Sequence, residues 1–329
     1  MKPSILGLCA LLSAALPMTS SYAYADVITL RFSHVVAPET PKGKGAQLFQ
    51  QLVAQRLAGQ VQLEVMPSGT AFTDANELQA LQDGKVDILA PAISKLTELS
   101  PKLKLFDLPF LFESRAALDH FQARPSGRQL LHSLEPAGII GLAYWPNGLK
   151  QLAARKPLRE PGDARGLVFR IQNSDVLQSQ FEALGATAVR LPFNQTLQAL
   201  TTGTVNATEN TWSNYWSQRL DQQQRYFTES NHGALDYMLI VKADRWRTLP
   251  FAVRSTLEEI IDQVTFEVKK QSEAENQRDR ARIAAAGGSE IITLTPEQRT
   301  RWREAMRPVW QRYEGELGAS LLKAAETSN

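Results

Sequence analysis

The sequence predicts an α/β protein of two lobes, and three observations carry that expectation. Strand segments with alternating apolar residues follow helix segments with apolar residues every three to four positions, the pattern of a sheet covered on both faces. The 329 residues suffice for about two domains, each able to bury its own core. Turn signals at Asn147-Gly148 separate two such runs.

Ile28, Leu30 and Phe32 alternate with Thr29, Arg31 and Ser33, so a strand opens the fold. After Pro41, the positions Leu48, Phe49, Leu52, Val53 and Leu57 mark one face of a helix that stops at Gly59. Val61, Leu63 and Val65 alternate again. A helix over 76–82, a strand over 86–90, a helix around 115–121 and a strand over 139–144 complete the first run. Beyond Asn147-Gly148, strands are expected at 168–171, 189–191 and 205–207. Helices follow at 175–184, closed by Gly185, and at 194–201, closed by Gly203. From Phe251 to Ala286 no proline or glycine interrupts the chain, and Leu257, Ile260, Ile261, Val264 and Val268 form one stripe. A helix of that length exceeds the needs of one small lobe and is expected to brace both. Thr295-Pro296-Glu297-Gln298 combines an N-cap, proline at the first helical position and a capping-box glutamine, which starts a terminal helix.

Lys2, the apolar run Ile5 to Leu16 and Ala23-Tyr24-Ala25 read as a secretory signal cleaved after Ala25. Losing residues 1–25 removes one base and no acid, so the formal charge of +2 becomes +1. No basic block marks a nucleic-acid surface. No later segment approaches the ~20 apolar residues that membrane insertion requires. Cys9 lies in the signal, so the mature chain has no thiol for a disulfide, a catalytic nucleophile or a metal site. Export without disulfides suits the bacterial periplasm.

The chain has no GxxxxGK[ST], GxGxxG, HExxH or GxSxG, and His34, His120, His132 and His232 are scattered. Ser320 to Lys323 matches SxxK but has no partner motif. No cofactor or metal is expected. An exported two-lobed α/β chain without a catalytic set is first a solute-binding candidate, since a cleft between lobes can close over a small ligand.

Longer motifs sharpen this. His34 to Gly43 (HVVAPETPKG), Pro67 to Thr70 (PSGT), Asn147 to Gln151 (NGLKQ), Asp163 to Leu177 (DARGLVFRIQNSDVL) and Glu209 to Asn214 (ENTWSN) resemble the DctP-type substrate-binding subunits of TRAP transporters. The similarity runs through essentially the whole mature chain. It implies a type II-like periplasmic binding protein fold, with hinge strands and a long helix spanning both lobes. The expected division is 26–147 plus 236–275 for lobe I and 148–235 plus 276–329 for lobe II. The implied function is capture of C4-dicarboxylates for small and large membrane subunits, by a monomer without enzymatic activity. Other organic acids, or presentation of ligand to a sensor kinase, are the alternatives.

In that family an arginine at the position of Arg170 pairs with the ligand carboxylate and an asparagine at that of Asn210 completes its hydrogen bonds. Guanidinium suits the task because its parallel donors match both carboxylate oxygens and it stays charged. The amide adds a neutral donor. A second carboxylate needs a second multi-donor group. Lys150 is the first candidate, followed by Lys42 and His34, in the loop that opens the first helix. Phe193 and Asn214 occupy cleft-lining positions in relatives, although a core aromatic and a helix-cap amide are equally natural readings. Asn194 and Asn206-Ala207-Thr208 stand where relatives commonly carry Glu and Asp-Gly, which bears on ligand identity.

Overall fold

A computed structural model describes residues 27–329, so the expected signal and its cleavage site lie outside the described residues. Nine strands form one sheet: β1 (Ile28–Ser33), β2 (Val61–Met66), β3 (Ile88–Leu89), β4 (Ile139–Ala154), β5 (Val168–Ile171), β6 (Thr187–Arg190), β7 (Ala207–Asn210), β8 (Tyr226–Lys242) and β9 (Glu290–Thr293). Their order is β2-β1-β3-β8-β4-β7-β5-β6, with β9 beside β8. The helices are α1 (Pro41–Arg56), α2 (Glu77–Gln82), α3 (Arg115–Ala123), α4 (Pro125–Leu131), α5 (Asp175–Ala183), α6 (Thr196–Thr202), α7 (Trp212–Ser217), α8 (Ala243–Arg247), α9 (Phe251–Ala285), α10 (Pro296–Leu317) and α11 (Ala319–Glu326).

β4 and β8 make the fold two-lobed. They run antiparallel from Ile139↔Lys242 to Ala154↔Tyr226, and at 16 and 17 residues each is far longer than an ordinary strand. At one end they carry β3, β1 and β2; at the other, β7, β5 and β6. Asn147-Gly148 is therefore not a turn between units, because the strand continues through it. The register slips between Pro146 and Gly148, and such a bulge is where a sheet interior tolerates proline. Gly148 is required there, since a Cβ would lie 2.7 Å from the Asn276 amide of α9. The sequence pattern does not announce β8, because Ser230-Asn231-His232-Gly233 breaks its alternation.

The long helix forms as expected. Its 35 residues reach about 52 Å. Leu257, Ile260, Ile261, Val264 and Val268 pack with Leu30, Phe49 and Trp145, while Ile283 packs with Tyr215 and Phe227 near the other end of the sheet. α10 begins with the Thr295–Gln298 capping box. Its Trp302 and Met306 join Phe169 and Phe181. Val309, Tyr313 and Leu317 join Phe106, Tyr144 and Met238.

Candidate functional site

Side chains on one strand face alternate, and cross-strand partners share a face. Arg170 on β5 is paired with Thr208 on β7, so Arg170, Thr208 and Asn210 point to the same side of the sheet. Arg170 is 2% exposed. Its Nε and Nη2 donate to the Leu191 carbonyl at 3.0 and 2.6 Å, and its guanidinium lies 5.8 Å from the Phe193 ring centroid. Asp74, from the loop between β2 and α2, brings Oδ2 to 4.0 Å of Nη2. The same Oδ2 accepts the Phe193 backbone N–H at 3.1 Å. Asp74 thus spans the cleft from the β1 side to the β5 side.

Asn210 ends β7. Its Oδ1 accepts the Thr211 backbone N–H at 2.9 Å and Asn214 Nδ2 at 2.8 Å, which leaves its own Nδ2 as the free donor. Asn214 follows one turn into α7, buried, with Oδ1 unpartnered.

From the other lobe, α1 presents Lys42 at its second residue, after the Thr40 N-cap. Lys42 is 1% exposed. Its Nζ donates to the Ala90 carbonyl at 2.8 Å and sits 3.6 Å from the Tyr237 ring centroid. Burial, reinforced by the neighbouring Lys95 charge and opposed by Glu77 and Asp74, lowers its pKa to about 7. His34 is buried at the end of β1 with its ring against Phe32 and its Nδ1 unpartnered. Burial and the Lys42 charge lower His34 to about 3, against a small opposing effect of the Val36 backbone, so it is neutral.

Lys42, Asp74, Lys95, Phe193, Asn214 and Tyr237 line a common cavity of about 20 Å³. Arg170 adjoins it through Asp74 and Phe193. A wider vestibule of about 400 Å³, lined by Asp74, Lys95, Glu98, Asn173 and Arg190 among others, leads outward from Asp74 and Lys95. Asn173 Nδ2 donates to Glu98 at 3.0 Å across its mouth.

The structure does not bring Lys150 to this place. Leu152 on β4 is opposite Glu209, and Gln151 opposite Asn210, so Lys150 shares the far face of the sheet with Glu209. Its Nζ meets Glu209 Oε1 at 2.9 Å, and Glu209 Oε2 meets His232 Nε2 at 2.8 Å. Burial pushes the Glu209 carboxyl up, but Lys150 and His232 more than offset it and hold the pKa at about 2. Lys150 is thus paired with a protein carboxylate on the face opposite Arg170, a consequence of the two-residue alternation that the sequence motif did not reveal.

Asp74, Lys95 and Tyr237 are the residues that sequence reasoning missed. Lys95 had a signal: it is a lone charge in the apolar run Ile88 to Leu96, and a buried lysine requires a partner. It ion-pairs with Glu77 on α2 and lies 3.6 Å from Asp74 Oδ1. Burial raises the Asp74 pKa, but Lys95, Arg170 and the Phe193 amide together hold it below the usual carboxylate range. Asp74 is therefore ionised. The site holds the cations Arg170, Lys42 and Lys95 against the carboxylates Asp74 and Glu77, and Lys42 has no carboxylate within 4 Å among the described residues. Such an arrangement favours an anion.

Comparison with known proteins agrees with this chemistry. The model of bacterial extracellular solute-binding protein, family 7 (DctP) matches residues 32–316. A C4-dicarboxylate-binding periplasmic protein DctP from Shewanella loihica is 42% identical over 96% of this chain and 94% of its own. The crystal structure of a TRAP periplasmic solute-binding protein from Pseudomonas aeruginosa, with bound L-malate, is 50% identical, with TM-score 0.86 over 87% of this chain and all of that one. One from Shewanella oneidensis, with bound succinate, is 40% identical, with TM-score 0.91 over 92% of this chain and 99% of that one. With the two-lobed fold, the buried cations and a family match over most of its length, this chain belongs to the DctP family of bacterial extracellular solute-binding proteins.

Proposed function

We propose that the protein is the periplasmic substrate-binding subunit of a TRAP transporter, capturing C4-dicarboxylates such as succinate, malate and fumarate by cleft closure. It is a monomer that binds and releases its ligand unchanged and hands it to small and large membrane subunits. Lobe I comprises 26–147 plus 236–275 and lobe II 148–235 plus 276–329, hinged on β4, β8 and α9. The observation that carries this reading is the approach of buried cations from the two halves of the sheet: Lys42 from α1 lines the cavity, and Arg170 from β5 adjoins it through Asp74 and Phe193. Relatives of 50% and 40% identity hold L-malate and succinate.

Arg170 and the free Asn210 Nδ2 receive one carboxylate, while Lys42, with Lys95 beside it, takes the second in place of Lys150. Phe193 covers Arg170, Asn214 fixes Asn210, and His34 is a neutral wall behind Lys42. A ligand charged at both ends suits the site, because its second carboxylate gives the desolvated Lys42 a counter-charge. A micromolar Kd corresponds to about −8 kcal/mol, within reach of a few charge-assisted hydrogen bonds in a desolvated cleft.

Calorimetric titration of succinate into Arg170→Ala tests the site. The expected loss exceeds ~2 kcal/mol, roughly 30-fold in Kd, from removing the partner of a buried carboxylate. A wild-type-like isotherm refutes the assignment. Prolonged incubation followed by NMR of the recovered acid tests the absence of turnover: any converted product overturns it.

A further inference from the structure

Resting on that reading, we infer that Tyr237 is a positioning residue for Lys42: its ring holds the lysine ammonium charged and in place for the ligand, in a seat that carries no counter-charge. The ammonium lies 3.6 Å from the Tyr237 ring centroid and donates to the Ala90 carbonyl at 2.8 Å. One piece of backbone pairing supplies both. Ala92 forms a bridge with Tyr237, and the Met238 N–H donates to the Pro91 carbonyl at 3.1 Å, so β8 fixes the ring and the 90–92 segment together. Tyr237 is buried, and its hydroxyl lies against Asn214, which lines the same cavity.

This seat differs in chemistry from those of two other buried lysines. Lys95 pairs with Glu77 and Asp74, and Lys150 with Glu209, so protein carboxylates cancel their charges. A π face and a carbonyl oxygen stabilise an ammonium without neutralising it, and the Lys42 charge stays available to an anion. The seat offsets only part of the cost of burial. Burial lowers the Lys42 pKa to about 7, with Lys95 adding to the fall and Glu77 on α2 and Asp74 in the loop before it opposing it. His34 on β1 is neutral, and burial keeps the Tyr237 hydroxyl protonated. A carboxylate at Lys42 favours its charged form, so binding takes up a proton and weakens as pH rises through 7.

Calorimetric titration of fumarate from pH 6 to pH 9 tests this, since its carboxyls ionise well below that range. The wild type is expected to lose ~50-fold in affinity between pH 7 and pH 9, and to take up nearly one proton per fumarate at pH 8, the linkage of one lysine titrating near 7. Tyr237→Leu removes the π face and is expected to move the midpoint down by about one pH unit. Tyr237→Phe keeps the ring and therefore the midpoint, while loss of the hydroxyl beside Asn214 weakens binding equally at every pH. Where Tyr237→Leu does not fold, pentafluorophenylalanine in place of Tyr237 keeps the ring's shape with its quadrupole inverted, and the same downward shift is expected. A flat wild-type profile, or a midpoint unmoved by losing or inverting the ring, overturns the inference and leaves the dicarboxylate reading standing. A shifted midpoint in Tyr237→Phe assigns the effect to the hydroxyl and likewise overturns it. Absence of binding by fumarate and succinate at every pH overturns the dicarboxylate reading itself.

Discussion

Two lysines that look alike in sequence have opposite fates, and face alternation decides between them. Lys42 is buried with no carboxylate within 4 Å among the described residues, so Lys42→Gln is expected to weaken succinate binding by ~10-fold or more while leaving the melting temperature unchanged or raised, because the cost of desolvating an ammonium has gone. Lys150 is spent on Glu209, so Lys150→Met leaves a buried carboxylate without its cation, held only by His232. The expected loss is ~3–5 kcal/mol of stability, read by urea unfolding, with succinate affinity of the folded fraction close to wild type. The pair also sets an acid limit. The Glu209 pKa is depressed from its ordinary 4.5 to about 2, so its stabilisation is present above about pH 4.5 and disappears as pH falls through 2. The stability gap between wild type and Glu209→Gln is expected to narrow across that window; a constant gap from pH 6 to pH 2.5 contradicts it.

At the scale of elements, local signals and packing carry different weight. Alternation and glycine stops found β1, β2, β5, α1 and α5 within a few residues, because one buried face imposes its period on the chain. The capping box of α10 is purely local, and Thr295→Ala is expected to cost ~1 kcal/mol in thermal melts without touching affinity. The contact of α1 with α9 is not local. A Cβ on Gly45 would come within 2.5 Å of Val268 Cγ2, so Gly45→Val is expected to destabilise the protein by ~1–3 kcal/mol through overpacking. β8 and β7 were missed or displaced. β8 is held by its neighbours on both sides, so its sequence need not alternate.

For the molecule as a whole, closure is written in a few polar contacts that cross the cleft. Asp74 meets the Phe193 N–H at 3.1 Å, Asn173 meets Glu98 at 3.0 Å, and Ser174 donates to Asp107 at 2.7 Å beside the crossing strands. The Asn173–Glu98 bond is exposed and lies at the vestibule mouth. Glu98→Ala is expected to speed succinate release several-fold in stopped-flow with little change in melting temperature, since loss of such a contact acts mainly on dissociation. An unchanged off-rate means that the mouth contact does not hold the closed state.

By itself the sequence determined the α/β class, the long helix and the start of α10, and its family resemblance singled out Arg170. The first three follow from periodicity and caps, which are short-range. The continuous β4 and β8, the diversion of Lys150 to Glu209 and the arrival of Asp74, Lys95 and Tyr237 around Lys42 were decided only by the tertiary structure. The physical reason is that which face a strand residue takes, and which charge it meets there, depends on register between segments as far apart as Asp74 and Arg170, and no local pattern encodes that register.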